Sequence, residues 1–132
     1  MRKNLKLPFD LSKAEEIIAD FGSPIYIYDE VGIRVNASTL NKNFAWAKGY
    51  KNYFAVKATP TPAILKLLHE EGMGFDCSSR TELTIMRRMG ISGDDIFYTS
   101  NNTPRADFEL AIELDATINL DDLAQVKVFT EA

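Results

Sequence analysis

Four short apolar runs recur along the chain from residue 52 onward and predict β-strands. They open at Asn52, Met73, Asp95 and Ala116, so their first residues are 21, 22 and 21 positions apart. Aromatic and β-branched residues are common in these runs, as expected of strands on a covered sheet. Apolar residues with helical spacing lie between the runs. The alternation predicts βαβ units with right-handed crossovers on a parallel sheet.

Each predicted helix in this part of the chain carries start or stop signals. A threonine followed by proline opens two helices, an S-x-x-E capping box opens another, and glycine ends two of them. The final helix has an acidic residue positioned to cap it. In chain order, the signals are Thr61-Pro62, Gly72, Ser79 with Glu82, Gly90, Thr103-Pro104 and Asp121.

Three further elements are predicted before the repeating pattern begins. Residues 11–21 have helical spacing, and "PIYIY" at 24–28 is typical of a strand. Residues 35–48 are predicted to form a second helix with Leu40 and Phe44 on one face. The repeating units therefore follow an amino-terminal strand and helix.

Two parallel α/β architectures fit this order of elements. One is a doubly wound domain of flavodoxin type, and the other is the first half of a (β/α)8 barrel, whose usual length is about 250 residues.

Alternation along the strands distinguishes these architectures, because it places small and polar residues together on one face. A doubly wound sheet is covered by helices on both faces, so a polar face favours a barrel interior. The residues predicted on that face are Tyr53, Ala55, Lys57, Gly74, Asp76, Ser78, Thr117, Asn119 and Asp121.

Composition narrows the class of protein. The chain has 132 residues, 45% of them hydrophobic, which suits one globular domain. A net charge of −4 and a pI near 5.0 give no basic footprint for nucleic acid. Cys77 is the single cysteine, no Cys/His cluster has metal-ligand spacing, and no apolar run suits a membrane span. We expect a soluble cytoplasmic protein without a metal site, nucleic-acid partner or membrane partner.

Lys57 is the residue whose position most needs an explanation. It ends the apolar run "YFAV" on the predicted inner face, where Ala55 leaves space beside it. An enclosed lysine can supply a neutral amine that attacks an aldehyde. A lysine at a strand end can also extend to solvent or pair with an acid such as Asp76. The strand pattern leaves these interpretations open.

Three segments resemble one enzyme family. "FGSPIYIYDE", "YFAVKAT" and "GFDCSSRTEL" are similar to the amino-terminal part of the alanine-racemase-fold decarboxylases that depend on pyridoxal 5'-phosphate (PLP). The likeness runs from about Phe21 to Val128 and is greatest to the diaminopimelate decarboxylases, with ornithine decarboxylases nearby. One departure is Ala58-Thr59, where the family often has Ala-Asn.

The resemblance implies a fold and a set of site residues. It implies a partial (β/α)8 TIM-type barrel, with residues 1–132 as the amino-terminal portion of the PLP-binding domain. The other barrel half and a carboxy-terminal β-domain would lie outside this sequence. Lys57 would be the catalytic residue and bind PLP covalently, with Ala55 and Asp76 also contacting the cofactor. Glu82 matches an acidic position, although the capping box already explains it.

The implied function is decarboxylation of meso-diaminopimelate, a small amino acid, to lysine by a homodimeric enzyme. Alternatives are decarboxylation of ornithine or another basic amino acid, and PLP binding without catalysis. A phosphoacceptor receiver domain is disfavoured, because it needs an acidic pair after its first strand. Phosphate-binding and substrate-measuring residues of the family cannot be assigned within the chain, so residues 1–132 alone are expected to be inactive.

Overall fold

The computed structural model describes residues 9–132, which form six α-helices and four β-strands. None of these helices is long and apolar enough to cross a membrane. The helices are α1 (Leu11–Phe21), α2 (Glu30–Asn43), α3 (Pro62–Glu70), α4 (Arg80–Met89), α5 (Arg105–Glu113) and α6 (Ala124–Thr130). The strands are β1 (Tyr53–Ala55), β2 (Gly74–Cys77), β3 (Ile96–Ser100) and β4 (Thr117–Leu120).

The four strands form one parallel sheet in the order β1-β2-β3-β4. Each begins one residue after its predicted start, so the predicted spacing is confirmed. The strands lie side by side in the order in which they occur along the chain. A doubly wound sheet reverses its strand order at a switch point, whereas a barrel places each new strand next to the previous one, so this order distinguishes the two architectures. The described chain therefore has the strand order of a partial barrel.

The hydrophobic core lies on the outer face of the sheet. Phe75, Cys77, Ile96 and Tyr98 point to this face and are fully buried. Leu65 of α3, Leu83 and Met86 of α4 and Ala111 of α5 complete the cluster. Residues of the inner face, such as Asp76 and Thr99, are half-buried, and Asn119 is exposed. Within residues 9–132 the helices thus cover the outer face and leave the inner face open, as the alternation predicts.

The helix signals are partly confirmed. Ser79 caps α4 by accepting the Glu82 N–H at 3.3 Å, and Gly90 ends that helix in the left-handed conformation. Thr61 stands at the cap of α3 with Pro62 first in the helix, but its side chain makes no capping bond.

The caps of the last two helices differ from the prediction. Pro104 occupies the cap position of α5, because the Thr103 hydroxyl donates to the Ser100 carbonyl instead. Near the start of α6, Asp122 rather than Asp121 accepts a backbone N–H, that of Ala124, at 2.7 Å.

The amino-terminal prediction is right for α1 and wrong for the strand. Residues 24–28 form no strand with any described residue, and Tyr26 is 93% exposed. The apolar and aromatic pattern is present, but a strand also needs a hydrogen-bonding neighbour.

The second predicted helix begins and ends five residues earlier than expected. Asp29 starts α2 at Glu30 by accepting the Gly32 N–H at 3.1 Å. The helix ends at Asn43, and the Phe44 ring then stacks on Tyr50 with centroids 4.8 Å apart. Arg34 of α2 bridges Glu70 and Glu71 at the end of α3, which fixes the helix beside the first βα unit.

Candidate active site

Polar side chains converge at the carboxyl ends of the first three strands. They line an open cleft of about 290 Å³ on the inner face, formed by Lys57, Asp76, Ser78, Thr99, Ser100 and Asn101. Beneath it, toward the amino ends, the rings of Tyr53 and Phe97 lie 5.4 Å apart and fill the inner face. Every residue that lines the cleft has a polar or charged side chain. In parallel α/β folds, this end of the strands is where ligands bind.

Lys57 reaches the cleft from a turn rather than from a strand. β1 ends at Ala55, and residues Val56–Ala58 form a single 3-10 turn. Val56 is fully buried on the outer side, whereas Lys57 is exposed. The sequence left open whether Lys57 is enclosed, extends to solvent or pairs with Asp76, and among residues 9–132 it extends to solvent. The prediction that Lys57 points toward the polar face is confirmed, because Lys57 lines the cleft.

Asp76 is the acid that lines the same cleft as Lys57. Its Oδ1 atom is buried without a hydrogen-bond partner among the described residues. Burial raises the pKa of the Asp76 carboxyl; the positive charge of Lys57 lowers that pKa, and the negative charge of Glu82 raises it. Within residues 9–132, Lys57 and Asp76 form no salt bridge with each other. The cleft therefore contains a buried carboxylate oxygen available to a ligand.

Ser78 and Glu82 connect the cleft to α4. The Glu82 carboxylate accepts the Ser78 N–H at 2.8 Å through Oε2 and the Ser79 hydroxyl at 2.9 Å through Oε1. The predicted capping box is thus present, and one of its bonds extends to a residue of the cleft.

The other predicted residues are distributed around this cleft. Ala55 is the register partner of Asp76 on the neighbouring strand, although it does not line the cleft. Asn119 and Asp121, also predicted at this end of the sheet, lie outside the cleft. Thr99 lines it and was missed, although alternation from buried Tyr98 would have placed it on the inner face.

Cys77 and His69 both lie outside the cleft. Cys77 is fully buried on the outer face, where burial raises the pKa of its thiol to about 12 and keeps it protonated. His69 hydrogen-bonds Asp95 at 3.0 Å near the amino ends of the strands. Lys51 pairs with the same carboxylate, and the two bonds lower the pKa of Asp95. This second cluster joins α3 to the segments before β1 and β3.

A larger groove elsewhere has a different chemical character. It measures about 390 Å³ and lies beside β1, α2 and α3, where it is lined largely by apolar side chains including Ile33, Leu40 and Phe54. Its lining includes neither lysine nor carboxylate. The smaller cleft with Lys57 and Asp76 is therefore the better candidate for a reaction centre.

The family comparison covers the part of the chain that contains the cleft. Residues 31–131 match the family model described as the pyridoxal-binding domain of pyridoxal-dependent decarboxylases. This match includes all six residues that line the cleft and covers well over half of the chain.

Individual relatives share the same region. Protein TabA of Pseudomonas amygdali pv. tabaci is 42% identical over 113 residues, covering 86% of this chain and 27% of that protein. Diaminopimelate decarboxylase of Methanothermobacter thermautotrophicus is 31% identical over 119 residues, covering 89% of this chain and 28% of its own length. Chloroplastic ornithine decarboxylase of Nicotiana glutinosa is 27% identical over 114 residues, covering 86% of this chain and 26% of that protein.

A solved relative confirms the fold. The structure of diaminopimelate decarboxylase from M. jannaschii superposes with a TM-score of 0.83 at 26% identity, covering 89% of this chain and 29% of that one. The chain thus spans less than a third of the proteins it matches. Its strand order, its cleft and the family match together show that the chain belongs to the pyridoxal-dependent decarboxylase family, as part of the pyridoxal-binding barrel domain.

Proposed function

We propose that this chain carries the PLP-anchoring lysine of an amino-acid decarboxylase and that Lys57 is this lysine. The observation that carries the proposal is the convergence of Lys57 and Asp76 in one polar cleft at the carboxyl ends of parallel strands. That convergence lies inside the segment matched by the pyridoxal-binding family.

The residues of the cleft fit such a cofactor. Lys57 supplies a primary amine for the cofactor's aldehyde, and Asp76 presents a buried oxygen without a partner. Ser78, Thr99 and Asn101 add hydroxyl and amide groups that can bond anionic ligand oxygens. When bound, PLP accepts the electron pair that remains on the substrate when carbon dioxide leaves.

The chain's own residues bind and orient in this proposal. Lys57 is exposed on its turn, so its amine can reach a ligand without rearrangement of the core. Asp76 places a negative charge beside that amine. Ala55 pairs with Asp76 in the register of β1 and β2, and its small side chain is proposed to contact the cofactor from just outside the cleft lining.

The proposed substrate is meso-diaminopimelate, and the proposed product is lysine. Support comes from the similarity to the two diaminopimelate decarboxylases. Ornithine is the second candidate, because an ornithine decarboxylase matches nearly the same share of the chain. We further propose that the whole protein is a cytoplasmic homodimer, which sedimentation and cell fractionation can test.

The test measures release of labelled carbon dioxide in the presence of PLP. Meso-diaminopimelate and L-ornithine are compared as substrates for a polypeptide of the relatives' length that contains this chain. We expect release from diaminopimelate, and loss to the level of free PLP in Lys57→Ala. Lys66→Ala is the control, since Lys66 is exposed on α3 away from the cleft. Full activity of Lys57→Ala would contradict the proposed role.

Residues 1–132 alone are expected to show no release above the Lys57→Ala variant. Four strands supply only one side of the site, and groups misplaced by about 1 Å already cost roughly 10²-fold in rate. Robust release by residues 1–132 alone would contradict this expectation.

A further inference from the structure

Glu82 makes one contact that an ordinary capping box does not require. In the usual box, the glutamate accepts the N–H of the cap residue itself. Here its Oε2 accepts the N–H of Ser78, the residue before the cap, at 2.8 Å, while Oε1 accepts the Ser79 hydroxyl at 2.9 Å. The contact is displaced by one residue toward the cleft that Ser78 lines.

This contact fixes the segment that presents Asp76. Cys77 is fully buried in the core on one side of that segment, and Ser78 is held by Glu82 on the other. Asp76 precedes both residues and has a buried oxygen without a hydrogen-bond partner among residues 9–132. Its orientation therefore depends on its neighbours along the chain rather than on bonds of its own carboxylate.

We propose that Glu82 is a positioning residue for the cofactor cleft: through the Ser78 N–H it fixes the end of β2 and so aligns Asp76 and Ser78 with Lys57. The inference rests on the proposed function in one respect, namely that the cleft receives PLP. Glu82 touches neither Lys57 nor Asp76 through a hydrogen bond, so it acts through the backbone of Ser78.

A role limited to capping can be separated from this one. Ser79→Ala removes the hydroxyl that caps α4 and that donates to Glu82 Oε1, but Glu82 Oε2 can still accept the Ser78 N–H. Glu82→Ala removes both contacts. Glu82→Gln keeps one carbonyl oxygen for the Ser78 N–H and gains an amide that can donate to Ser79. The Glu82→Ala variant keeps the backbone N–H that donates to the Ser79 hydroxyl, so it retains more of the cap than Ser79→Ala does. If Glu82 served only the cap, Glu82→Ala would therefore impair the cleft no more than Ser79→Ala.

The experiment compares these three variants in the purified protein that contains this chain. The first readout is hydrogen exchange at the Ser78 amide, which needs no cofactor. The second is the rate at which PLP becomes attached to Lys57, trapped by borohydride and measured by peptide mapping. Thermal denaturation of every variant reports the loss of the cap separately.

We expect Glu82→Ala to accelerate Ser78 exchange about tenfold, the effect of one lost hydrogen bond of ordinary strength. PLP attachment should slow by about tenfold, part of the penalty for misplaced reacting groups. Glu82→Gln should stay within roughly threefold of the unmodified protein in both readouts, since one good acceptor remains. Ser79→Ala should lose thermal stability while keeping both Ser78 protection and the attachment rate.

Two results would overturn the inference: equal slowing of attachment in Ser79→Ala and Glu82→Ala, or failure of Glu82→Gln to restore it. If the unmodified protein took up no PLP at Lys57, the proposed function would fail. Hydrogen exchange at the Ser78 amide alone would then test whether Glu82 positions the end of β2. In that case, unchanged exchange in Glu82→Ala would overturn the positioning role. Loss of protection in that variant alone would support it.

Discussion

Asp76→Asn should stabilise the folded chain at neutral pH while impairing cofactor binding. The Asp76 carboxylate is held with Oδ1 buried and unpaired within the described residues, and burial raises its pKa. Its charged form is thus less favourable in the folded state than in the unfolded state. Asparagine has nearly the same shape and removes the charge.

The magnitude follows from the unpaired oxygen. A buried polar group without a partner costs about 1–3 kcal/mol, and more when it is charged. Asparagine retains a neutral carbonyl oxygen there and Asp76 is only half-buried, so the expected gain is about 1 kcal/mol. For a domain of this size, that gain raises the melting temperature by about 3–5 °C.

The pH dependence of unfolding tests independently whether Asp76→Asn is stabilising. Above the raised folded pKa, Asp76 is charged and the unmodified protein bears the full penalty. As the pH falls through that pKa and then below the unfolded value, the carboxyl is neutral in both states and the penalty disappears. The advantage of Asp76→Asn should therefore be largest at neutral pH and vanish in acid.

The assay is urea unfolding followed by circular dichroism at several pH values. Asp121→Asn is the matched control, because Asp121 follows β4 and is exposed. A neutral-pH stability of Asp76→Asn equal to or below that of the unmodified protein would refute the reasoning. An equal gain in Asp121→Asn would also refute it, since the effect would then reflect net charge.

Three further predictions concern the sheet and the segment before β3. Gly74→Ala should lower the free energy of unfolding in urea by about 1–2 kcal/mol, because the new Cβ would lie 2.7 Å from the Tyr53 ring and 3.0 Å from the Asp95 carbonyl. Replacing glycine gives a small gain in stability that offsets part of this overpacking cost. Phe75→Ala should cost roughly 3–5 kcal/mol in the same assay, because the ring is fully buried. The stability that Asp95 contributes is present above its unfolded pKa and is lost as the pH falls through its lowered folded pKa. Asp95→Asn should therefore flatten the acid part of a plot of unfolding free energy against pH. An unchanged acid part of the plot would contradict the role of Lys51 as the partner of Asp95.

The sheet could be predicted from the sequence because helices cover its outer face. Where Phe75 and Tyr98 point into the core, intervening residues must point away, so alternation gives strand position and face within one residue. The same alternation predicted Lys57, Asp76 and Ser78 on one face, and all three line the cleft, although Lys57 reaches it from a turn.

Features that depend on distant neighbours were less predictable. Residues 24–28 have the composition of a strand, but no described residue pairs with them. The sequence could not decide whether Lys57 is enclosed or exposed, because enclosure depends on atoms opposite the inner face. The bond from Ser78 to Glu82 depends on the conformation of a turn, which the S-x-x-E spacing indicates only in outline.

The most direct measurement maps where PLP attaches. The protein that contains this chain is incubated with PLP, reduced with borohydride and digested with trypsin, which does not cleave after a modified lysine. If Lys57 is the anchor, the pyridoxyl mass will lie on the peptide 52–66, at Lys57, and will be absent from Lys57→Ala. A label on Lys51, on Lys66 or on no lysine of this chain would contradict the assignment of Lys57.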